Sequence, residues 1–95
     1  MMLLEDYGLV KGSVLRHYKG GVYQAEAICI IAHKEEVGSE PAILYRHLFG
    51  AVTFCRPVSE MFEMVADPEG RLVRRFVPIS EREVGRILLE QHPDW

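Results

Sequence analysis

The distribution of apolar and polar positions along the chain predicts a series of short β-strands followed by one helix. The clearest segment is a Lys-Gly-Gly sequence at 19–21, which separates two stretches rich in β-branched and aromatic residues. Glycine adopts the positive φ angles of tight hairpin turns without steric cost. The pattern therefore predicts a β-hairpin whose strands lie at 13–18 and 22–33.

The second of these strands is long, and its pattern changes along its length. Alternation places Gln24 and Glu26 on one face of its first half, whereas its second half is apolar on both faces. Twelve residues would span about 40 Å at about 3.3 Å per residue, which is too long for a straight strand in a domain of this size. We therefore expect a bend or a β-bulge near residues 27–29.

Turn-forming residues divide the next part of the chain into further strands. The predicted elements are a charged loop at 34–41, strands at 42–49 and 51–56, a helical turn at 57–61, a strand at 62–66, a β-turn at 67–70 and a strand at 72–79. Met61 and Phe62 are expected in the core.

A helix is predicted to close the chain. Ser80 and Glu83 have the spacing of a capping box, and apolar residues then recur at helical spacing. We expect a helix over 80–91 that packs on the sheet and buries Val84, Ile87 and Leu88.

These elements together predict one domain over 1–95 that is mainly β. We expect a small antiparallel, partly closed barrel of five or six strands over 12–79, with the helix packed against it; an α+β layered arrangement is the alternative. Residues 1–11 form a helical turn or an edge strand. Their apolar side chains at 1–4 either cap the barrel, which we favour, or contact a second subunit, which leaves a homodimer open.

The composition narrows the classes of protein to consider. The chain is 48% apolar and 26% charged, as in ordinary soluble domains. It has no apolar run near the ~20 residues of a membrane helix and no basic segment of the kind that opens a signal peptide. The net charge of −3 argues against a dedicated nucleic-acid-binding protein. We expect a soluble, cytoplasmic protein with no membrane partner.

The cysteines and histidines do not form a recognisable catalytic or metal-binding motif. Cys29 and Cys55 lie in strand-like segments and are expected to be buried, reduced thiols. His17, His33 and His47 lack the short ligand pairs that are typical of zinc sites. We therefore predict no catalytic residue, no metal and no cofactor.

Five ordered sequence blocks resemble a known family. They are R-H-Y-K-G-G-V-Y, A-H-K-E, L-Y-R-H-L-F-G, R-P-V-S-E-M-F and R-R-F. In this order they resemble the bacterial domain-of-unknown-function family 1653, over about residues 12–76. Phe54 and Phe49 stand where that family usually has Trp and Tyr. The resemblance implies an SH3-like small barrel whose activity is unknown.

Four residues are candidates for a ligand-binding site. Function in small barrels tends to lie on loops and strand ends, and here these segments carry aromatic and cationic groups. We predict that His17, Tyr18, Tyr45 and Arg56 converge on one concave surface, with Arg56 contacting an anion and the tyrosines forming its walls. The alternative is that the tyrosines pack inside the barrel and Arg56 pairs with Glu60.

The function predicted from these features is a non-catalytic binding module for a small polar ligand or a peptide. The alternative is a nucleic-acid-associated barrel, in which surface cations contact phosphates and tyrosines stack on bases. Its residues would be Arg16, Lys19, Arg46, Arg71, Arg74 and Arg75 with Tyr18, Tyr23 and Tyr45. A small enzyme of unknown reaction is the third and least favoured interpretation.

Overall fold

The computed structural model describes residues 3–32 and 39–91 and contains one main antiparallel sheet. Its five strands are β1 (Val14–His17), β2 (Val22–Ala32), β3 (Ser39–His47), β4 (Thr53–Pro57) and β7 (Phe76–Pro78), in the order β4-β3-β2-β1-β7. A separate hairpin consists of β5 (Met64–Ala66) and β6 (Leu72–Arg74). The other elements are a 3₁₀ turn at Leu4–Tyr7 and the helices α1 (Val58–Met61) and α2 (Glu81–Gln91). The prediction of a mainly β chain with a C-terminal helix is confirmed.

The hairpin of β1 and β2 forms where the Lys-Gly-Gly sequence predicted it. Gly20 has a φ of 104°, in the region that glycine favours, and its N–H donates to the His17 carbonyl at 2.8 Å. The His17 N–H in turn donates to the Gly21 carbonyl at 2.7 Å. This turn sets the register of the central strands.

Strand β2 contains the predicted bulge, slightly earlier than expected. Ala25 is paired with Tyr45 but Ala27 is paired with Leu44, so Glu26 is an extra residue between them. An extra residue exchanges the two faces of the strand beyond it. Cys29 therefore lies on the face opposite Ala25, although simple alternation assigns both to the same face.

The segment 72–79 is two strands, and its prediction as one strand is wrong. β6 pairs with β5, whereas β7 pairs with β1 in the main sheet. Arg75 lies between them. Its N–H donates to the Glu63 carbonyl at 2.9 Å and its carbonyl accepts from the Tyr18 N–H at 3.0 Å. The chain thus changes its pairing partner at Arg75, and both the N–H and the carbonyl of Arg75 are hydrogen-bonded there.

Several boundaries also differ from the predictions. Residues 39–41 belong to β3 rather than to the charged loop, and the rest of that loop, with His33, lies outside the described residues. The third strand ends at His47, β4 begins at Thr53 and β5 begins at Met64. The helical turn and the turn at 67–70 are confirmed, the latter by a Gly70 N–H to Asp67 carbonyl bond of 2.9 Å.

The core lies on one face of the main sheet. The sheet contributes Leu15, Ala25, Ile43, Tyr45 and Phe76, and these pack with Leu4, Leu9 and Met61. The 3₁₀ turn and α1 thus cover this face. The expected helical turn near the start of the chain is confirmed, and Leu4 caps the core as predicted. Leu3 is exposed, and residues 1–2 lie outside the described part. Met61 is fully buried, as predicted, and Phe62 packs against the core.

The barrel is only partly closed. β4 and β7 are the two edges of the sheet and do not pair with each other. Arg75, at the entry to β7, donates through Nε to the Glu60 carbonyl of α1 at 3.1 Å and forms an ion pair with Glu63. Side-chain contacts of Arg75 therefore connect the start of β7 with α1 and Glu63, which follow β4 in the chain.

Helix α2 begins at the predicted cap but is more exposed than predicted. The Glu83 N–H donates to Ser80 Oγ at 3.2 Å, and Glu83 Oε1 lies 2.7 Å from Nη1 of Arg16 in β1. The predicted burial of Val84, Ile87 and Leu88 is wrong, because all three are only half-buried. The 3₁₀ turn and α1 already cover the core face, and α2 lies beside a groove lined by Val14 and Leu48 among others. None of the helices in residues 3–32 and 39–91 is long and apolar enough to cross a lipid bilayer.

Candidate functional site

A row of rings crosses the core face of the sheet, and we call it the aromatic face: His17, Tyr23, Tyr45, Phe54 and Phe76. Directly paired residues of antiparallel strands project to the same side. His17 of β1 is paired with Phe76 of β7, and their ring centroids are 4.9 Å apart. Tyr45 of β3 is paired with Phe54 of β4, and their rings stack at 5.6 Å with an interplanar angle of 28°. The register of four strand pairs therefore assembles this row.

Tyr23 joins the two ends of the aromatic face. Its ring makes edge-to-face contacts with Tyr45 at 5.4 Å and with Phe76 at 5.7 Å. Gly21 gives this ring its space, since a Cβ there would lie 2.9 Å from Cε2 of Tyr23. Such contacts are worth about 0.5–1.5 kcal/mol each beyond the burial of area. The aromatic face is therefore a rigid surface.

Burial separates a floor from a rim within the aromatic face. Tyr45 and Phe76 are only 5% and 1% exposed and form the floor. Phe54 is 43% exposed, and His17 and Tyr23 are half-buried, so these three form the rim. The rim is the part that a ligand can reach.

Arg56 lies at the β4 end of this row. Its Nε donates to the Tyr45 hydroxyl at 3.4 Å, and its Nη1 lies 3.3 Å from Oε1 of Glu60. The hydrogen bond to Tyr45 raises the pKa of Arg56 above its ordinary value, burial opposes this rise, and Glu60 adds to it. Arg56 is thus a fixed, fully charged cation with its side chain partly exposed.

His17 is a neutral donor at the other end of the row. Its pKa is lowered below the ordinary value, first by burial and then by the positive charges of Arg75, Arg56 and Lys19. The Lys19 backbone N–H donates to Nδ1 of His17 at 3.2 Å. A neutral imidazole that accepts at Nδ1 carries its proton on Nε2. His17 therefore presents an N–H donor in a positively charged neighbourhood.

Tyr18 lies next to His17, just past the end of β1. The two rings are 4.6 Å apart, and Nζ of Lys19 lies 5.7 Å from the centroid of the Tyr18 ring. Of the four predicted site residues, the structure places His17, Tyr45 and Arg56 in or beside one row, and Tyr18 adjoins it through His17. Tyr45 is a buried floor residue, and Arg56 does pair with Glu60, as the packing alternative expected.

Three residues of the aromatic face were not among the predicted ligand-binding residues: Tyr23, which was named only for the nucleic-acid alternative, Phe54 and Phe76. Phe54 precedes Arg56 by two residues in β4, so alternation alone places both side chains on one face. Phe76 joins the site because β7 pairs with β1, and no local pattern indicates that pairing.

The two cysteines depart in part from what was expected. Cys29 and Cys55 are free thiols, but Cys29 is half-buried and Cys55 is exposed, so the prediction that both are buried is wrong. The bulge turns Cys29 to the outer face, and Cys55, paired with Leu44, lies there too. Within the described ranges, no group of three or more His, Cys, Asp or Glu side chains could hold a metal ion.

Most of the arginines considered for a nucleic-acid surface are engaged in ion pairs. The pairs are Arg16–Glu83, Arg46–Glu26, Arg71 with Asp67 and Glu69, and Arg75–Glu63. Arg74 donates to the Phe62 carbonyl at 3.1 Å. These contacts spread the cations over several elements and neutralise them locally, which gives little support to a phosphate-binding stripe.

A comparison with protein families finds a match over most of the chain. The model of the family described as "Protein of unknown function (DUF1653)" matches residues 13–78, from the start of β1 to the end of β7. No curated protein and no solved structure matches this chain. The matched span includes every residue of the aromatic face, as well as Tyr18 and Arg56.

Proposed function

Because the chain belongs to the DUF1653 family, whose description states no activity, we propose a function from the geometry alone. The domain is a non-catalytic binding module that takes a small polar ligand or a peptide carrying an anionic group. The ligand lies against the rim of the aromatic face, with its anionic group at Arg56. The observation that carries this proposal is the position of Arg56 and His17 beside one continuous row of rings.

Arg56 has the properties of an anion contact. Its guanidinium group is oriented by Tyr45 and Glu60, so little conformational entropy remains to be lost when a ligand binds. These two contacts use two of the five N–H donors of the group. A carboxylate or phosphate can therefore bind beside Glu60 or in its place.

The rim of the aromatic face supplies the apolar part of the site. Phe54 presents nearly half of its surface next to Arg56, and it stacks on a buried ring that holds it in place. A ring or an apolar side chain of a ligand can pack there. His17 adds an Nε2–H donor at the opposite end. We expect affinity to require both the anionic group and the apolar group.

Phenyl phosphate is a suitable probe, because it joins a ring to an anion. We expect it to shift the backbone and Arg Nε–H resonances of residues near the aromatic face in ¹H–¹⁵N spectra. Inorganic phosphate and phenol, which each carry one of the two groups, should bind at least about tenfold more weakly, since a bivalent ligand gains from both contacts. If the resonances of residues over the whole surface shifted equally, the proposal would be contradicted.

Paired variants test the role of Arg56. Arg56→Gln should weaken the binding of phenyl phosphate, whereas Glu60→Gln should strengthen it by removing a competing carboxylate. Arg86→Gln, the same change on the exposed side of α2, is the matched control and should leave binding unchanged. If Arg56→Gln instead unfolds the domain and leaves the probe affinity of the folded fraction unaltered, Arg56 is a structural strut.

Three finer statements belong to the same proposal. The five-stranded, partly closed sheet supports an SH3-like classification, and the two free thiols support a cytoplasmic location. The resemblance to family 1653 supports a bacterial origin. Homodimer formation remains a prediction, which the oligomeric state in solution would test.

A further inference from the structure

The two cysteines form a close pair on the outer face of the sheet. Cys29 lies on β2 opposite Ala42, and Cys55 lies on β4 opposite Leu44. Their Sγ atoms are 3.7 Å apart, across the intervening strand β3. Ala42 ends at Cβ, which leaves space above β3 for the two side chains to approach. This face is the opposite one from the aromatic face, so the pair is independent of the proposed ligand site.

The strand order argues against a disulfide between these thiols. Adjacent strands are about 4.8 Å apart, so Cα atoms that face each other across β3 on β2 and β4 are about 9 Å apart. A disulfide requires a Cα separation of at most about 7 Å, and longer gaps need movement of the backbone. Movement of that kind would disrupt β3, which is paired on both sides. The two sulfur atoms can therefore lie close together while the Cα atoms stay too far apart for a disulfide.

This geometry suits a soft cation bound between the two sulfur atoms better than it suits a disulfide. We propose that Cys29 and Cys55 bind one soft monovalent cation of the Cu(I) type as a two-thiolate site. If the metal–sulfur bonds have the zinc–thiolate length of about 2.3 Å, two of them in a line span about 4.6 Å, so the sulfurs need to separate by only about 0.9 Å. Cys55 is exposed, and rotation of its side chain provides this distance.

The number of donors selects the class of metal. Thiolates are soft ligands that favour Cu(I), zinc and iron–sulfur clusters, but structural zinc requires four ligands. No group of three or more His, Cys, Asp or Glu side chains that could hold a metal exists in residues 3–32 and 39–91, so the site offers two donors of these types. Two-coordinate, linear binding is characteristic of monovalent d¹⁰ ions.

In the binding reaction one metal cation replaces two thiol protons, and the charges balance. The reaction starts from the free thiols of Cys29 and Cys55. Burial and the contact with Cys55 raise the pKa of the Cys29 thiol. The cation forms two metal–sulfur bonds, two S–H bonds break, and two protons go to solvent. The product is a complex of charge −1, and no electron is transferred.

Competition for Cu(I) under anaerobic conditions tests the site. Reduced protein should remove one Cu(I) per chain from the coloured complex with bathocuproine disulfonate. Cys29→Ser and Cys55→Ser each leave a single thiol and should weaken the apparent affinity by about 100-fold or more, because the second contact is lost. Met64→Leu is the control for thioether binding, since Met64 is exposed, and it should behave like the unmodified chain.

Three outcomes would overturn the inference. They are an unmodified chain that takes up no Cu(I), single-serine variants that retain its affinity, and one copper per two chains in a dimer bridged through Cys55. Diamide treatment provides a second measurement: rapid, complete formation of an intramolecular disulfide would show that the Cα atoms of Cys29 and Cys55 are closer than about 9 Å. Circular dichroism of the serine variants establishes that they are folded.

Discussion

Replacing Phe76 by Ala tests the division of the segment 72–79 into two strands. Leu72 and Phe76 are four residues apart, so a single continuous strand would place both on the same face and bury them together. The structure places Phe76 in the main sheet at 1% exposure and Leu72 in the β5–β6 hairpin at 71% exposure. The two Ala substitutions should therefore differ strongly in their effect.

The expected magnitude follows from the burial of Phe76 and its ring contacts. Truncation of a fully buried Phe to Ala costs about 3–5 kcal/mol, which includes the cavity that remains. The Phe76 ring contacts those of His17, Tyr23 and Tyr45 at centroid distances of 4.9, 5.7 and 5.3 Å, so the cavity lies beneath the aromatic face. A domain of this size has a total stability of about 5–15 kcal/mol. The substitution should lower Tm by about 15 °C or more.

Urea unfolding followed by far-UV circular dichroism measures both variants. Leu72→Ala should change the free energy of unfolding by no more than about 0.5 kcal/mol, as for other exposed positions. Equal losses for Leu72→Ala and Phe76→Ala, or a loss below about 1 kcal/mol for Phe76→Ala, would refute the placement of β7 in the main sheet.

Three other predictions concern pH, the β5–β6 hairpin and α2. Because the folded state lowers the pKa of His17 from 6.5, the unfolded chain binds the proton more readily. Stability should therefore fall as the pH falls from about 6.5 through the lowered pKa, and His17→Gln should flatten this dependence in urea titrations at different pH values. Asp67 accepts from the backbone N–H groups of Glu69 and Arg71, so Asp67→Ala should speed amide exchange in the β5–β6 hairpin while the central strands stay protected. Leu88→Asp should lower Tm measurably but much less than Phe76→Ala, since Leu88 is half-buried; an equal loss would place α2 in the core.

Local sequence signals were sufficient for the elements that depend on neighbouring residues. The Gly20–Gly21 turn, the turn at 67–70 and the cap at Ser80 all follow from the conformational preferences of a few adjacent residues. The bulge in β2 was predicted from the length and pattern of one strand and lies next to the expected position. These features are local, so the sequence pattern carries most of the information about them.

The candidate site was predicted from the chemistry of loops and strand ends rather than from alternation along the strands. Loop and strand-end chemistry selected His17, Tyr18, Tyr45 and Arg56, and three of these lie in or beside one row. Tyr45 was predicted to form a wall of the site, but its burial makes it part of the floor. Phe54 was within reach of an alternation argument, as it shares a face with Arg56.

Tertiary structure decided the features that depend on distant pairing. β7 pairs with β1 rather than continuing β6, and this brings Phe76 next to His17. The 3₁₀ turn and α1 occupy the core face, which leaves α2 half-exposed despite its apolar stripe. The approach of Cys29 and Cys55 needs a bulge in one strand and the strand order β4-β3-β2 together. Contacts between residues far apart in sequence depend on how the whole chain shares one core, and no local pattern determines that choice.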